Sequence, residues 1–218
     1  GLAYDASTHT LSWQGELAPG NWDYIIEPTH SLALPYLDLA DFGAVNLCDD
    51  FIANGESCDD VSVTFNLGVN GYTTNLYGEL LSQLTVSSNG LIFASDTAVS
   101  PTYAHNQWLP DVVTPGFVLA GLWRDTGMGG GDVSPNGRFH AAIISGLVEG
   151  HDVFYAQWHD APHASDPDLT ARHAIAVLLN KDTASADAGH SLDGHAFFIY
   201  DNISDPTQLV AQGYTIGV

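Results

Sequence analysis

Gly116-Phe117-Val118-Leu119-Ala120-Gly121-Leu122-Trp123 leads into Arg124-Asp125-Thr126-Gly127-Met128-Gly129-Gly130-Gly131-Asp132. A second apolar run spans Phe139 to Leu147, and the turn Glu149-Gly150-His151-Asp152 delivers a third, Val153-Phe154-Tyr155-Ala156-Gln157-Trp158. Three short apolar runs parted by glycine and aspartate predict consecutive antiparallel strands. Trp123 and Trp158 are expected as core anchors facing one another across adjacent strands or sheets. By itself this stretch specifies a β-rich domain and names no reaction.

The flanks continue the pattern. Val61–Leu67 alternates with period two, as a half-buried strand does. Gln83–Ser87 and Leu91–Phe93 flank Ser88-Asn89-Gly90, a strong hairpin signal. Tyr72 and Tyr77 bracket a further expected turn. Arg172–Leu179 is apolar on both faces, which predicts a central strand, and 196–200 and 214–218 read as closing strands. His159–Asp168 and residues 95–115 read as loops, the latter pinned by Trp108. Near the start, Thr8–Trp13 and Trp22–Pro28 are expected to pair across Ala18-Pro19-Gly20-Asn21, and Leu32–Val45 to cross over, with a helical turn around Tyr36–Ala40. Short strands with regular turn signals predict an all-β antiparallel sandwich, jelly-roll or Ig-like, with few or no helices. Residues 1–218 read as one such domain, with 1–46 as an N-terminal hairpin and crossing segment or the tail of a preceding fibronectin-like domain.

Composition narrows the function. The 218 residues hold 26 acidic and 4 basic side chains, for a net charge of −22. Such a surface cannot neutralise phosphates, which argues against nucleic acid and against anionic membranes as partners. It suits a protein kept soluble at high ionic strength, and equally an ordinary acidic secreted one. No apolar run reaches 18 residues, so no membrane-spanning helix is expected. The opening Gly1-Leu2-Ala3-Tyr4-Asp5 reads as a start inside a longer protein.

Cys48 and Cys58 each precede an Asp-Asp pair. Neighbouring carboxylates disfavour a reactive thiolate, so a local disulfide and an extracellular setting are expected, against reduced buried cysteines as the alternative. That bridge would draw Asp49 and Asp50 towards Asp59 and Asp60, the preferred calcium site. Asp125 with Asp132 is a second candidate and Asp166 with Asp168 a third, all against a plain charged surface. No EF-hand spacing occurs. Trp22 and Trp108 are candidate binding aromatics, although a tryptophan in a sandwich is more often core.

Catalytic motifs test poorly. Asp125-Thr126-Gly127 occurs once, whereas an aspartic protease needs two such aspartates to share a proton. No Gly-x-Ser-x-Gly and no His-Glu-x-x-His is present.

Several segments resemble a known family. Leu2–Leu17, Leu84-Thr85-Val86-Ser87-Ser88-Asn89-Gly90, Ala120-Gly121-Leu122-Trp123-Arg124-Asp125 and Val153–Trp158 resemble a region downstream of the catalytic domain in secreted subtilisin-like serine proteases of marine γ-proteobacteria. Arg124 and the Met128–Gly131 run depart from that pattern. The resemblance implies a secreted, non-catalytic β-rich accessory domain, with protein or peptide substrate reached through the parent protease. The alternative expectation is a calcium-dependent adhesion or carbohydrate-binding module.

Overall fold

The computed structural model describes residues 2–5, 10–13, 34–76, 78–94, 117–128, 137–148, 150–181, 195–212 and 214–217. Two compact units divide the chain, 1–34 and 35–218, so the break falls inside the expected N-terminal segment 1–46. In the first unit, β1 (Leu2–Asp5) pairs antiparallel with β2 (Thr10–Trp13), Leu2 opposite Trp13. The partner expected for Thr8–Trp13, Trp22–Pro28, lies outside the described residues, as do Trp108 and the whole 95–115 segment.

The second unit is an antiparallel sandwich, as its strand pattern predicts. One sheet is built from β3 (Ser62–Asn66), β6 (Gln83–Ser87), β7 (Leu91–Ala94), β8 (Phe117–Trp123) and β13 (Thr215–Gly217). The other is built from β9 (Arg138–Val148), β10 (His151–His163), β11 (Asp166–Leu178) and β12 (Ala196–Ile203). A small hairpin, β4 (Thr74–Leu76) with β5 (Glu79–Leu81), occupies the region expected as a single turn. Among the described residues each sheet follows a meander order, with β13 returning to the edge of the first sheet beside β8.

The three central runs are strands, but they do not form one consecutive set. β9 and β10 make a long hairpin, whereas β8 pairs with β7 and β13 in the opposite sheet. The residues after Trp123 therefore carry the chain from one sheet to the other.

Alternation along each strand delivers the core. Leu84, Val86, Ile92, Ala94 and Leu119 of one sheet pack against Phe154, Ala156, Trp158, Ile175 and Val177 of the other. Trp158 and Trp123 are both fully buried, but they do not face one another. A bulge in β8 opposite Thr215–Gly217 breaks the alternation and places Trp123 with Leu91, Phe93, Val118 and Ala120, on the other face of its sheet.

Two segments differ from the loop reading. β10 extends to His163 and β11 begins at Asp166, so the 159–168 stretch is the end of a hairpin. Asp160, at φ 47°, sits at the bulge between Trp158 and Ala161, which lets the strand pass through its polar Asp-Ala-Pro-His sequence. Helices α1 (Cys48–Ala53) and α2 (Pro206–Gln212) were not expected. A 3-10 turn at Leu39–Phe42, capped by Asp38, stands close to the helical turn expected there.

Candidate functional site

The disulfide is present between Cys48 and Cys58, with a Cα–Cα distance of 5.2 Å and both sulfurs buried in the core. It closes a loop holding α1 and the Asn54-Gly55 turn, where Gly55 takes φ +77°. Asp59 and Asp60 follow at once, and Asp60 is held at φ 53°, a conformation few side-chained residues adopt.

What fixes them is the hairpin turn of β6 and β7. Ser88 and Asn89 are fully buried, unusually for a turn. Val61 N–H donates to Ser88 Oγ at 3.1 Å, and Ser88 N–H donates to the Val61 carbonyl at 2.9 Å. Asn89 Nδ2 donates to Asp60 Oδ1 at 2.7 Å. The Asn89 Oδ1 accepts from Thr126 N–H at 2.9 Å and from Thr126 Oγ1 at 3.1 Å. One buried amide thus ties the segment after the disulfide to the segment after β8. Gly90 completes the turn at φ +86°, and a Cβ there would lie 2.3 Å from the Leu122 carbonyl oxygen.

This knot brings together Asp59, Asp60 and Asp125, each offering a carboxylate oxygen within 4.8 Å of the others. The group merges one member of the second sequence candidate with half of the first. Asp49 and Asp50 lie instead in the first turn of α1, where Asp49 accepts from Asn46 Nδ2. Asp132 and Trp22 are outside the described residues. Asp166 accepts from Asp168 N–H and from Gln208 Nε2, a local arrangement at the foot of α2.

The electrostatics of the trio are those of crowded carboxylates. Burial, then Asp60 and Asp125, pushes the Asp59 carboxyl up to about 6. Its Oδ1 is buried and has no hydrogen-bond partner. Hard cations such as calcium take carboxylate oxygens in this kind of arrangement, filled out by carbonyls and water. A carboxyl titrating near 6 is also the format of a general acid. Here, however, the trio does not line the described cavity. That cavity, of about 240 Å³, lies between Phe65, Asn66, Leu67, Asn70, Ala142, Ile143 and Phe154, none of them ionisable.

A second polar cluster escaped the sequence reading. On the outer face of β9–β11, Arg138, His140, Tyr155, Gln157, His159 and Arg172 meet residues 36–39. Leu37 N–H donates to Tyr155 Oη at 3.0 Å and Leu39 N–H to Gln157 Oε1 at 2.8 Å. Gln157 Nε2 donates to Tyr36 Oη at 2.7 Å, and that hydroxyl lies 3.1 Å from His159 Nδ1. Arg138 pairs with Asp38 at 2.8 Å and Arg172 with Asp160 at 2.6 Å. Burial and then Arg138 hold the His159 imidazole below its ordinary range, while Asp38 and Asp160 pull the other way. Every arginine here already has its carboxylate, so the cluster fastens residues 36–39 to the sheet. The signal for it was the i, i+2 recurrence of polar side chains at 155, 157 and 159 within an otherwise apolar strand.

No family model matches the chain, and no curated protein or solved structure matches it.

Proposed function

We propose that this chain is a non-catalytic accessory module of a secreted subtilisin-like serine protease. It stabilises the parent enzyme or holds protein substrate for it, and Asp59, Asp60 and Asp125 bind a calcium ion. The observation that carries this reading is the convergence at Asn89. Two segments that resemble the protease-linked region, Leu84–Gly90 and Ala120–Asp125, meet there beside the disulfide with three carboxylates. A cation in that position would join the disulfide loop to the β8 end and offset the burial and the carboxylate repulsion that together raise Asp59. It would act as a staple, the role suited to a module that must hold its shape outside the cell.

Two measurements test it. Thermal unfolding of the chain should shift upward with millimolar calcium and return with a chelator, and Asp125→Asn should abolish the shift. No shift in the wild type would remove the metal from the reading. Deleting the module from its parent should shorten the half-life of the protease or lower its kcat/KM on protein substrates. Unchanged values for both would refute the accessory role.

The second reading, a calcium-dependent adhesion or carbohydrate-binding module, shares the cation. What favours it is the exposure of two aromatic side chains, Tyr200 and Tyr214. Chelator-sensitive binding to a glycan array, lost in Tyr214→Ala, would select it over the first.

A further inference from the structure

His173 lies between the two sheets beside the β6–β7 turn and takes part in neither cluster. It points inward from β11, fully buried. Its ring stacks on the Trp158 indole, with centroids 4.8 Å apart and planes 3° from parallel, and on its other side approaches Tyr200 at 6.5 Å. The facing sheet has made room for it. A Cβ on Gly121 would lie 3.2 Å from His173 Cδ2, and one on Gly90 would lie 3.4 Å from Nε2. Both ring nitrogens are without hydrogen-bond partners.

We infer that His173 is an acid release built into the core: its imidazolium is incompatible with the closed sandwich, so protons open the domain. A buried imidazole that is to accept a proton needs an acceptor for its new N–H or a carboxylate for its charge. Among the described residues neither ring nitrogen makes a hydrogen bond, and no carboxylate acts on the ring. β10 presents the Trp158 indole, whose own N–H is committed to the Ser87 carbonyl at 3.0 Å. β12 presents Tyr200, whose hydroxyl donates to the Gly121 carbonyl at 2.5 Å. β8 presents Gly121 and, at its end, the Arg124 guanidinium, and the β6–β7 turn presents Gly90. The charged neighbour in this set is therefore of the wrong sign. Arg124 is itself buried, with Nη2 donating to the Ala161 carbonyl and Nε and Nη1 unpaired. Burial, then Arg124, lowers the His173 imidazole to about 3.

The native pKa is depressed, so the unfolded chain binds the proton first as pH falls through the ordinary histidine range. His173 leaves stability intact above about 6.5 and removes it progressively from there down to about 3, tenfold in the folding equilibrium per pH unit. His140, His159 and His163 are lowered by burial too and share the upper part of that window. A difference between variants therefore isolates His173.

The test uses denaturant unfolding of the 218-residue chain between pH 4 and pH 6.5. The logarithm of the wild-type folding constant should fall more steeply with acid than that of His173→Phe, by one proton's worth, about a hundredfold over two pH units. Equal slopes overturn the inference. Should His173→Phe fail to fold, the wild type decides alone. With histidine ring carbons labelled, the His173 resonance should stay at its neutral position until the sandwich opens. A His173 signal that titrates near pH 6 in the folded protein overturns the inference as well.

Discussion

Asn89 and His173 are both fully buried polar side chains on the two sides of one turn, and the sandwich treats them in opposite ways. Asn89 has its side-chain oxygen and nitrogen engaged by Thr126 and Asp60. His173 has two nitrogens and no partner for either. The first is a complete network, which fixes the relative placement of three segments. The second is an imidazole used as a flat filler against Trp158, and its two unpaired nitrogens cost the fold about 1–3 kcal/mol each even in the neutral form. The contrast shows that burial alone does not say what a polar residue is for. The satisfied group specifies geometry, and the unsatisfied one registers conditions.

Breaking the satisfied side should cost most. Asn89→Ala leaves Asp60 and Thr126 short of partners, and each buried group so stranded costs about 1–3 kcal/mol. A loss of about 3 kcal/mol is expected in urea unfolding, with Asp59, Asp60 and Asp125 no longer held together. Removing the bridge, Cys48→Ser with Cys58→Ser, should cost about 2–3 kcal/mol by loop entropy. Unlike Asn89→Ala, it should leave the Asn89 hydrogen bonds in place, which amide exchange at Thr126 would report.

Asp59→Asn sharpens the comparison from the other direction. The Asp59 pKa is raised in the fold, so its ionised form weakens the protein as pH rises from about 4 through 6. Without calcium, the variant should be more stable than wild type at pH 7. Discounted for the solvent screening of a half-exposed group, the gain is about 1–2 kcal/mol. The same variant should lose the calcium-induced shift in melting temperature. Smallest is Arg138→Gln, which frees Asp38 at a partly exposed pair and should cost about 0.5–1 kcal/mol, seen as faster proteolysis near residues 36–39.

Local patterns were legible, and long-range company was not. The strands, the Ser88-Asn89-Gly90 turn and the Cys48–Cys58 pairing all follow from residues close in sequence. The α2 signal was present as well. Asp205 before Pro206 is an N-cap followed by a first-turn proline, and Asp205 Oδ1 accepts from Thr207 and Gln208 N–H. The carboxylate group was only half legible. Asp59 and Asp60 were read beside the bridge, but Asp125 joins them through a buried asparagine that looks, in sequence, like an exposed turn residue. Trp123 was misplaced because a bulge reverses its face, and nothing in Leu122-Trp123 announces a bulge. The polar cluster that fastens residues 36–39 was missed because Tyr36 and Asp38 come from a stretch with no regular pattern to reveal which sheet it crosses.

The meander order has a kinetic consequence. Hairpins β6–β7, β9–β10 and β10–β11 close between neighbours in sequence, so they can form early at small loop-closure cost. The Asp60–Asn89–Thr126 knot and the β8–β13 pair wait until distant parts of the chain have met. Contacts made after the transition state govern how fast a protein opens and leave the speed of closing almost untouched. On that ordering the knot is expected to act as a clasp: Asn89→Ala should speed unfolding and leave the refolding rate almost unchanged, which stopped-flow rates would check.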